Sequence, residues 1–333
     1  MSLPKPWIIA EVGSVHDGSF GNACKLIELA AKCGANVVKL QTHVAEAETL
    51  ESAPAPSYFK AEPRLAYFKR TAFSRDQWRE LKKVAHGCQL GFMSSPFANE
   101  AVDLLEEIEV DIYKIASGEV TNTPLLEKVA QTKRPVVLSS GMSDWAELDR
   151  AVEVLRTGGG DLTVMQCTSA YPCPVERAGI NVIGEIAKRY GVTTGFSDHT
   201  QTIAAPVSAV CAGATVVEKH ITFSRAMYGS DAQFAMEPLE FEQYCKELRN
   251  AWAIAASPVD KSDLGTLRDM KSVFEKSIVT AVPVAQGQQL GREHLAFKKP
   301  GTGIRADRVD LVVGKRAARD LPKDHMLNEK DLL

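Results

Sequence analysis

TTGFSDHTQTIAAPVSAVCAGATVVEKHIT, residues 193–222, decides the fold. Its two ends, TTGFSDH (193–199) and TVVEKHIT (215–222), are short runs rich in β-branched residues. Between them, residues 202–212 carry apolar side chains at helical spacing. Strand, helix and strand within about 30 residues make a βαβ unit with parallel strands. Working outward toward the N-terminus, six more runs of this kind occur: WIIAEVG (7–13), VVKLQTH (37–43), QLGFMSS (89–95), DIYKIAS (111–117), PVVLSSG (135–141) and LTVMQCT (162–168). Helical periodicity fills 21–33, 75–85, 100–107, 124–132, 145–156 and 180–190, and returns over 238–256. Eight such repeats predict an α/β fold, a (β/α)8 TIM barrel over residues 1–256. The site of such a barrel gathers at the C-terminal ends of its strands. The polar endings of these runs are therefore expected at one mouth.

A barrel takes roughly 250 residues, and this chain has 333. Residues 257–276 are polar and read as a linker. SIVTAVPVAQGQQL (277–290), AFKKPGTGI (296–304) and LVVGKRAARDL (311–321) then alternate short strand-like runs with turn formers. They predict a small β-rich domain over 277–333, on the low side for independent stability at about 55 residues. It is expected to lean on the barrel or on a partner chain. In the barrel, 45–71 is long and irregular. It holds Ser52, Pro54, Ser57 and the aromatics Tyr58, Phe59, Tyr67 and Phe68. A long βα loop is either a substrate-covering element or a surface excursion with its own cluster.

Composition excludes several classes. Net charge is −3 with no polybasic run, which argues against nucleic acid as a main partner. No apolar run approaches the ~20 residues of a membrane span, and no secretory h-region follows Met1. A soluble, cytoplasmic chain is expected. The seven Cys (24, 33, 88, 167, 173, 211 and 245) include no close CxxC pair, as befits reduced, mostly buried thiols.

Residues two apart on a strand point the same way. Lys39 and Gln41 share a face, as do Ser197 with His199 and Glu218 with His220. Strands seven and eight are neighbours, so His199 and His220 can approach. Two imidazoles with carboxylates nearby suit a divalent transition metal with positions left for water and substrate. Lys39 and Lys114 are ammonium groups in otherwise apolar strands. Ser94, Ser95, Ser117, Ser139, Ser140, Thr168 and Ser197 add hydroxyls. Together they read as a cradle for a phosphate or phosphoenol group, although either lysine can also form a Schiff base with a carbonyl. Glu11 and Glu119 are candidate acid/base groups. No Walker-type loop occurs, and Gly158–Gly159–Gly160 reads as a turn.

IAEVGSVHDG (9–18), GANVVKLQTH (34–43), SSPF (94–97), YKIASGE (113–119), LSSGM (138–142), CTSAYPCP (167–174), GFSDHT (195–200), EKHIT (218–222) and KKPGTGI (298–304) together resemble the sialic acid synthase family, which spans N-acetylneuraminate, legionaminate, pseudaminate and spore-coat polysaccharide synthases. The resemblance covers nearly the whole chain. The end domain is similar to type III antifreeze proteins, an antifreeze-like (SAF, β-clip) domain over 277–333. The resemblance implies that phosphoenolpyruvate condenses with an open-chain N-acyl hexosamine such as N-acetylmannosamine. A nine-carbon 2-keto-3-deoxy acid and phosphate result. By family position, Lys39, Ser95, Lys114, Ser117, Ser139, Ser169 and Ser197 hold phosphoenolpyruvate. His199 and His220 bind Mn2+, with Mg2+ or Co2+ as alternatives. Gln41, Phe97, Tyr171, Glu218, Asp231 and Lys299 meet the sugar. Glu11, Glu119, His199 and His220 take part in catalysis. The end domain implies a domain-swapped homodimer.

The chain departs from the family at several points. Lys299 replaces an Arg, Val15 and Ser169 replace Asn, and Ala232 and Ala235 replace His and Ser. These changes are expected near the acceptor sugar and point to an altered acceptor. Two other readings stand beside the synthase: a Schiff-base pyruvate aldolase using Lys114 or Lys39, and a non-catalytic sugar-binding relative.

Overall fold

The computed structural model describes residues 5–54 and 62–333. All eight runs form strands: β1 (Trp7–Gly13), β2 (Val37–Thr42), β3 (Gly91–Pro96), β4 (Ile112–Ile115), β5 (Val136–Ser139), β6 (Leu162–Cys167), β7 (Thr193–Asp198) and β8 (Val216–His220). They pair in parallel in sequence order, and β8 closes on β1. The expected (β/α)8 barrel is what the chain forms. Between the strands run α1 (Phe20–Cys33), α2 (Ala45–Glu48), α3 (Arg64–Thr71), α4 (Arg75–Gly87), α5 (Asn99–Glu107), α6 (Thr123–Gln131), α7 (Trp145–Arg156), α8 (Asn181–Tyr190) and α9 (Ala204–Cys211), with α10 (Pro238–Ala255) after β8.

Two apolar layers follow from the alternation of each strand. One strand face packs on the helices, as Ile8, Val38, Phe92, Tyr113, Leu138, Val164 and Val217 do in the large outer core. The other face fills the barrel axis with Trp7, Ile9, Val37, Met93, Ile112, Val137, Met165 and Val216. Helix ends obey local chemistry. Ser19 caps α1 by accepting from the Asn22 amide, and Gly34, at φ 97°, closes it. α4 and α7 open with capping boxes, Ser74 with Gln77 and Asp144 with Glu147, which satisfy otherwise orphaned amides.

The chain divides into two compact units, Met1–Ser257 and Pro258–Leu333. The second differs from its sequence reading in two places. The stretch read as linker contains α11 (Leu267–Phe274), because Leu267, Met270, Val273 and Phe274 recur at helical spacing. Of the three expected strand runs, two supply strands, β9 (Ser277–Thr280) and β10 (Leu295–Lys298), paired antiparallel. Residues 311–321 instead make isolated bridges, Val284 with Leu321, Gln289 with Arg316 and Ala317 with Leu332. Gly314, at φ 90°, turns the backbone there, so no continuous ladder forms. Ile278, Val284, Leu290, Leu295, Val312, Ala317, Leu321 and Leu327 make this unit's own core.

The seven cysteines are all free thiols; Cys211 is exposed, and Cys24 and Cys88 are half-buried. Among the described residues no helix is long and apolar enough to cross a membrane. Tyr58 and Phe59, read above with the long loop, lie outside the described residues.

Candidate active site

The alternation that fills the barrel axis also builds the site. One step of two residues beyond the apolar layer, Ile9 leads to Glu11, Val37 to Lys39, Met93 to Ser95 and Ile112 to Lys114. Likewise Val137 leads to Ser139, Met165 to Cys167 and Val216 to Glu218. Gly195, which lacks a side chain beside Met165, precedes Ser197. All eight of these polar groups line one cavity of about 390 Å³ at the C-terminal mouth. Strand register sets their neighbours: Glu11 stands beside Lys39 and His220, Gln41 beside Ser95, and Ser197 beside Cys167 and Glu218.

The floor is a buried charge network. Lys114 Nζ lies 2.6 Å from Glu218, and Lys39 Nζ lies 3.2 Å from both Glu218 and Glu11. Ser197 Oγ donates to the same Glu218 carboxylate at 3.3 Å. Burial would raise the Glu218 pKa, but Lys114 and Lys39 outweigh it and hold the carboxyl well below its usual range. For Lys39, burial is outweighed by Glu11 and Glu218, so the ammonium is held above its ordinary value. At Lys114 burial wins, and its pKa falls. Burial pushes Glu11 up to about 7, which lets it hold or release a proton near neutrality.

The two histidines face each other with ring centroids 6.0 Å apart. His199 lies one residue past β7 rather than within it. Its Nδ1 donates to the Thr168 carbonyl at 2.9 Å. Its ring sits 4.2 Å from that of Tyr171. Cys167 Sγ is 3.9 Å from the same nitrogen. Burial lowers the His220 pKa to about 4, so its imidazole is neutral. Its Nδ1 is buried without a hydrogen-bond partner.

Most predicted site residues converge here. Ser117, Ser169, Gln41, Phe97, Tyr171 and Asp231 line the same cavity. Asp231 is anchored by the Ser14 amide at 2.9 Å and by Ser230 Oγ at 3.0 Å. It reaches this place past Gly13, whose φ of +53° and missing Cβ leave room for the carboxylate. Glu119 is not among the cavity-lining side chains. The turn at Ser117–Glu119 gives Ser117 and Gly118 to the cavity, while Glu119 accepts from Asn122 Nδ2 at 2.7 Å. Lys299 belongs to the second unit, its Nζ 4.6 Å from the centre of the Phe274 ring. Of the hydroxyls named from the sequence, Ser94 turns outward to Leu40 and Thr42, Ser140 to Gln166, and Thr168 to Arg177.

The expectation that the departures cluster around the acceptor needs correction. Val15, Ala232 and Ala235 are fully buried and none lines the cavity; they pack as core. Within the first unit, only Ser169 among the departures faces it. Sequence reading also missed Cys167, Ser14, His43, Arg64, Met142 and Ser230 as lining residues. The period of two along β6 points to Cys167, and the position of His43 at the end of the β2 run was a second signal. Ser14, Met142 and Ser230, in loops, and Arg64, at the start of α3, had none. Tyr67 and Phe68, on α3, line the cavity as well, which favours the substrate-covering reading of the long loop.

Comparison with known proteins follows from this geometry. The NeuB family matches residues 26–260, and the SAF domain matches residues 275–333. The chain belongs to the NeuB family. It is 32% identical to N,N'-diacetyllegionaminic acid synthase of Campylobacter jejuni, over 98% of this chain and 100% of that one. It is 31% identical to N-acetylneuraminate-9-phosphate synthase of Homo sapiens, over 97% of this chain and 92% of that one. Its fold is similar to the crystal structure of N-acetylneuraminic acid synthetase from Leptospira borgpetersenii in complex with citrate, with a TM-score of 0.71 and 28% identity over 79% of this chain and 89% of that one. The family read from the motifs is thus the family of the chain, and its relatives are sugar-acid synthases.

A NeuB-family site with two histidines raises the question of a metal. Among the described residues, no group of three or more His, Cys, Asp or Glu side chains is gathered as a metal cage. The pair His199 and His220 nevertheless fits a divalent ion. His220 is neutral with a buried, unpartnered nitrogen. His199 is fixed by Thr168 through Nδ1, which leaves Nε2 as the nitrogen available to an ion. Burial lowers its pKa, but Cys167 and Thr168 outweigh that and raise it, so an ion would compete with a proton there. Two imidazoles are a suitable protein share of an open site completed by water and substrate oxygens.

Proposed function

We propose that this protein condenses phosphoenolpyruvate with an N-acyl hexosamine to give a nine-carbon 2-keto-3-deoxy sugar acid and phosphate. The observation that carries the reading is the buried Lys39–Lys114–Glu218–Glu11 network ringed by Ser95, Ser117, Ser139 and Ser197 under an open cavity. Two buried ammonium groups and four hydroxyls suit a small, highly charged anion. Glu218 favours the charged form of both lysines against the effect of burial. In the condensation, C3 of phosphoenolpyruvate forms a bond to the sugar aldehyde carbon, water adds at C2, and phosphate leaves. The aldehyde oxygen must gain a proton and the water must lose one. Glu11, with its pKa raised to about 7, is the group suited to carry a proton between them. Gln41, Phe97, Tyr171 and Asp231 line the remaining volume and orient the sugar.

His199 and His220 would hold a divalent ion, Mn2+ by preference, which when bound polarises the aldehyde and organises water. The Schiff-base alternative would need Lys114 as a free amine. Burial lowers its pKa, which favours that form, but its Nζ lies 2.6 Å from Glu218. The synthase reading predicts phosphate release that requires both substrates and stops with EDTA. Trapping of a pyruvate adduct by borohydride, without a metal requirement, would replace it with the aldolase.

We further propose a homodimer. The support is the apolar face of α11, where Leu267, Met270, Val273 and Phe274 are each more than half exposed. Such a run is unusual on a surface without a partner.

A further inference from the structure

Beside the floor, a second chain of contacts runs along the cavity wall. Glu48 Oε1 lies 2.7 Å from His43 Nδ1. His43 Nε2 lies 3.2 Å from Gln41 Oε1. Gln41 Nε2 then donates to Glu11 Oε1 at 2.8 Å. The His43 and Glu48 side chains are 7% and 5% exposed, so solvent does not supply alternatives. The imidazole is also clamped between two phenyl rings. Phe68 stacks at 3.8 Å and 12°, Phe97 at 4.4 Å and 11°.

The polarity of this chain follows from its ends. When ionised, Glu11 accepts, so the amide turns its nitrogen there and its oxygen toward His43. Turning the amide over would set its oxygen against the Glu11 carboxylate. With the amide oxygen turned toward it, His43 Nε2 is the donor to Gln41, while Nδ1 shares a proton with Glu48. Two aromatic faces and a buried carboxylate hold the ring in this orientation. The consequence falls on Gln41. Its amide is locked, and the second N–H of its nitrogen is left for an oxygen of the ligand.

We propose that His43, held by Glu48 and clamped by Phe68 and Phe97, is a positioning residue that fixes the Gln41 amide as a donor to an oxygen of the acceptor sugar. This rests on the synthase reading for the identity of the acceptor. The floor residues that face phosphoenolpyruvate take no part in the relay beyond Glu11. A defect at His43 should therefore separate the two substrates.

The test uses the full chain with His43→Phe, which keeps the stack and removes both ring nitrogens, and with Glu48→Gln, which keeps the volume and removes the carboxylate. The KM for the acceptor sugar is expected to rise about tenfold in both, the scale of one lost hydrogen bond. The KM for phosphoenolpyruvate should stay within about twofold, since the network of Lys39 and Lys114 is untouched. An unchanged acceptor KM, or an equal rise for both substrates, overturns the proposal. A second readout does not need turnover. With 15N-histidine labelling, the signal absent from His43→Phe should show a protonated Nε2 and change in Glu48→Gln. A bare Nε2 overturns the proposal. If the unaltered protein releases no phosphate with any sugar, the synthase reading fails, and the nitrogen signals alone decide the place of His43.

Discussion

Glu218 is the residue on which the floor depends. It is the shared partner of Lys39 and Lys114 and accepts from Ser197. Removing one member of a buried ion network leaves charges without compensation, at a cost of several kcal/mol. Glu218→Gln is expected to lower unfolding stability by about 3 kcal/mol in urea titration and to abolish phosphate release. Stability within about 0.5 kcal/mol of the unaltered protein would show that the lysines find other partners. Gly141 offers a gentler test. A Cβ there would crowd Ser117 Oγ, Cys167 Sγ and Ser169 Oγ, and the Gly141 amide donates to Ser117 at 3.0 Å. Gly141→Ala should weaken phosphoenolpyruvate binding by about tenfold, read by titration calorimetry, with the circular dichroism spectrum retained. At this scale the sequence was informative wherever a strand carried the residue. Glu11, Lys39, Ser95, Lys114, Ser139 and Glu218 all sit two residues beyond an apolar axis residue, and Ser197 two beyond Gly195. Glu119 shows the limit: one residue past Gly118, a tight turn sends it to Asn122 rather than to the cavity.

Elements were legible in proportion to their periodicity. The barrel helices and strands were read from repeating patterns, and their ends agree to within a few residues. The second unit is held by hydrogen bonds among irregular segments, which leave no period to read. Its centre is Asp331, fully buried. It accepts from Arg319 Nε at 3.0 Å, Asn328 Nδ2 at 2.7 Å and the Asn328 amide at 3.1 Å, and pairs with His325 at 2.9 Å. Burial would raise the Asp331 pKa, but His325 and Arg319 outweigh it and hold the carboxyl below its ordinary value. A depressed folded pKa means that the unfolded chain binds this proton more tightly. The stabilisation is therefore present above about pH 4 and is lost as pH falls through the folded value. Asp331→Asn should cost about 2 kcal/mol at neutral pH, measured by amide exchange across 277–333. It should also remove part of the acid sensitivity of that exchange. Equal acid sensitivity in both proteins would place the responsible carboxyl elsewhere.

For the molecule as a whole, the two units carry different kinds of information. The barrel holds the floor and the histidines, and the second unit presents the apolar face of α11. Light scattering should report a dimer, and Met270→Glu with Phe274→Glu should shift it toward monomer. A monomer before substitution would remove the role assigned to that face. The acceptor was the part least legible from sequence. The departures that pointed to it, Val15, Ala232 and Ala235, are core packing, and burial cannot be read from a substitution pattern alone. The most direct measurement of the central claim is phosphate release from phosphoenolpyruvate with Mn2+, across N-acyl hexosamines with and without a 6-phosphate, each repeated with EDTA. The account predicts release that needs a sugar, stops with EDTA, and is lost in both His199→Ala and His220→Ala. Full activity in both histidine variants, or no phosphoenolpyruvate binding at all, would contradict it.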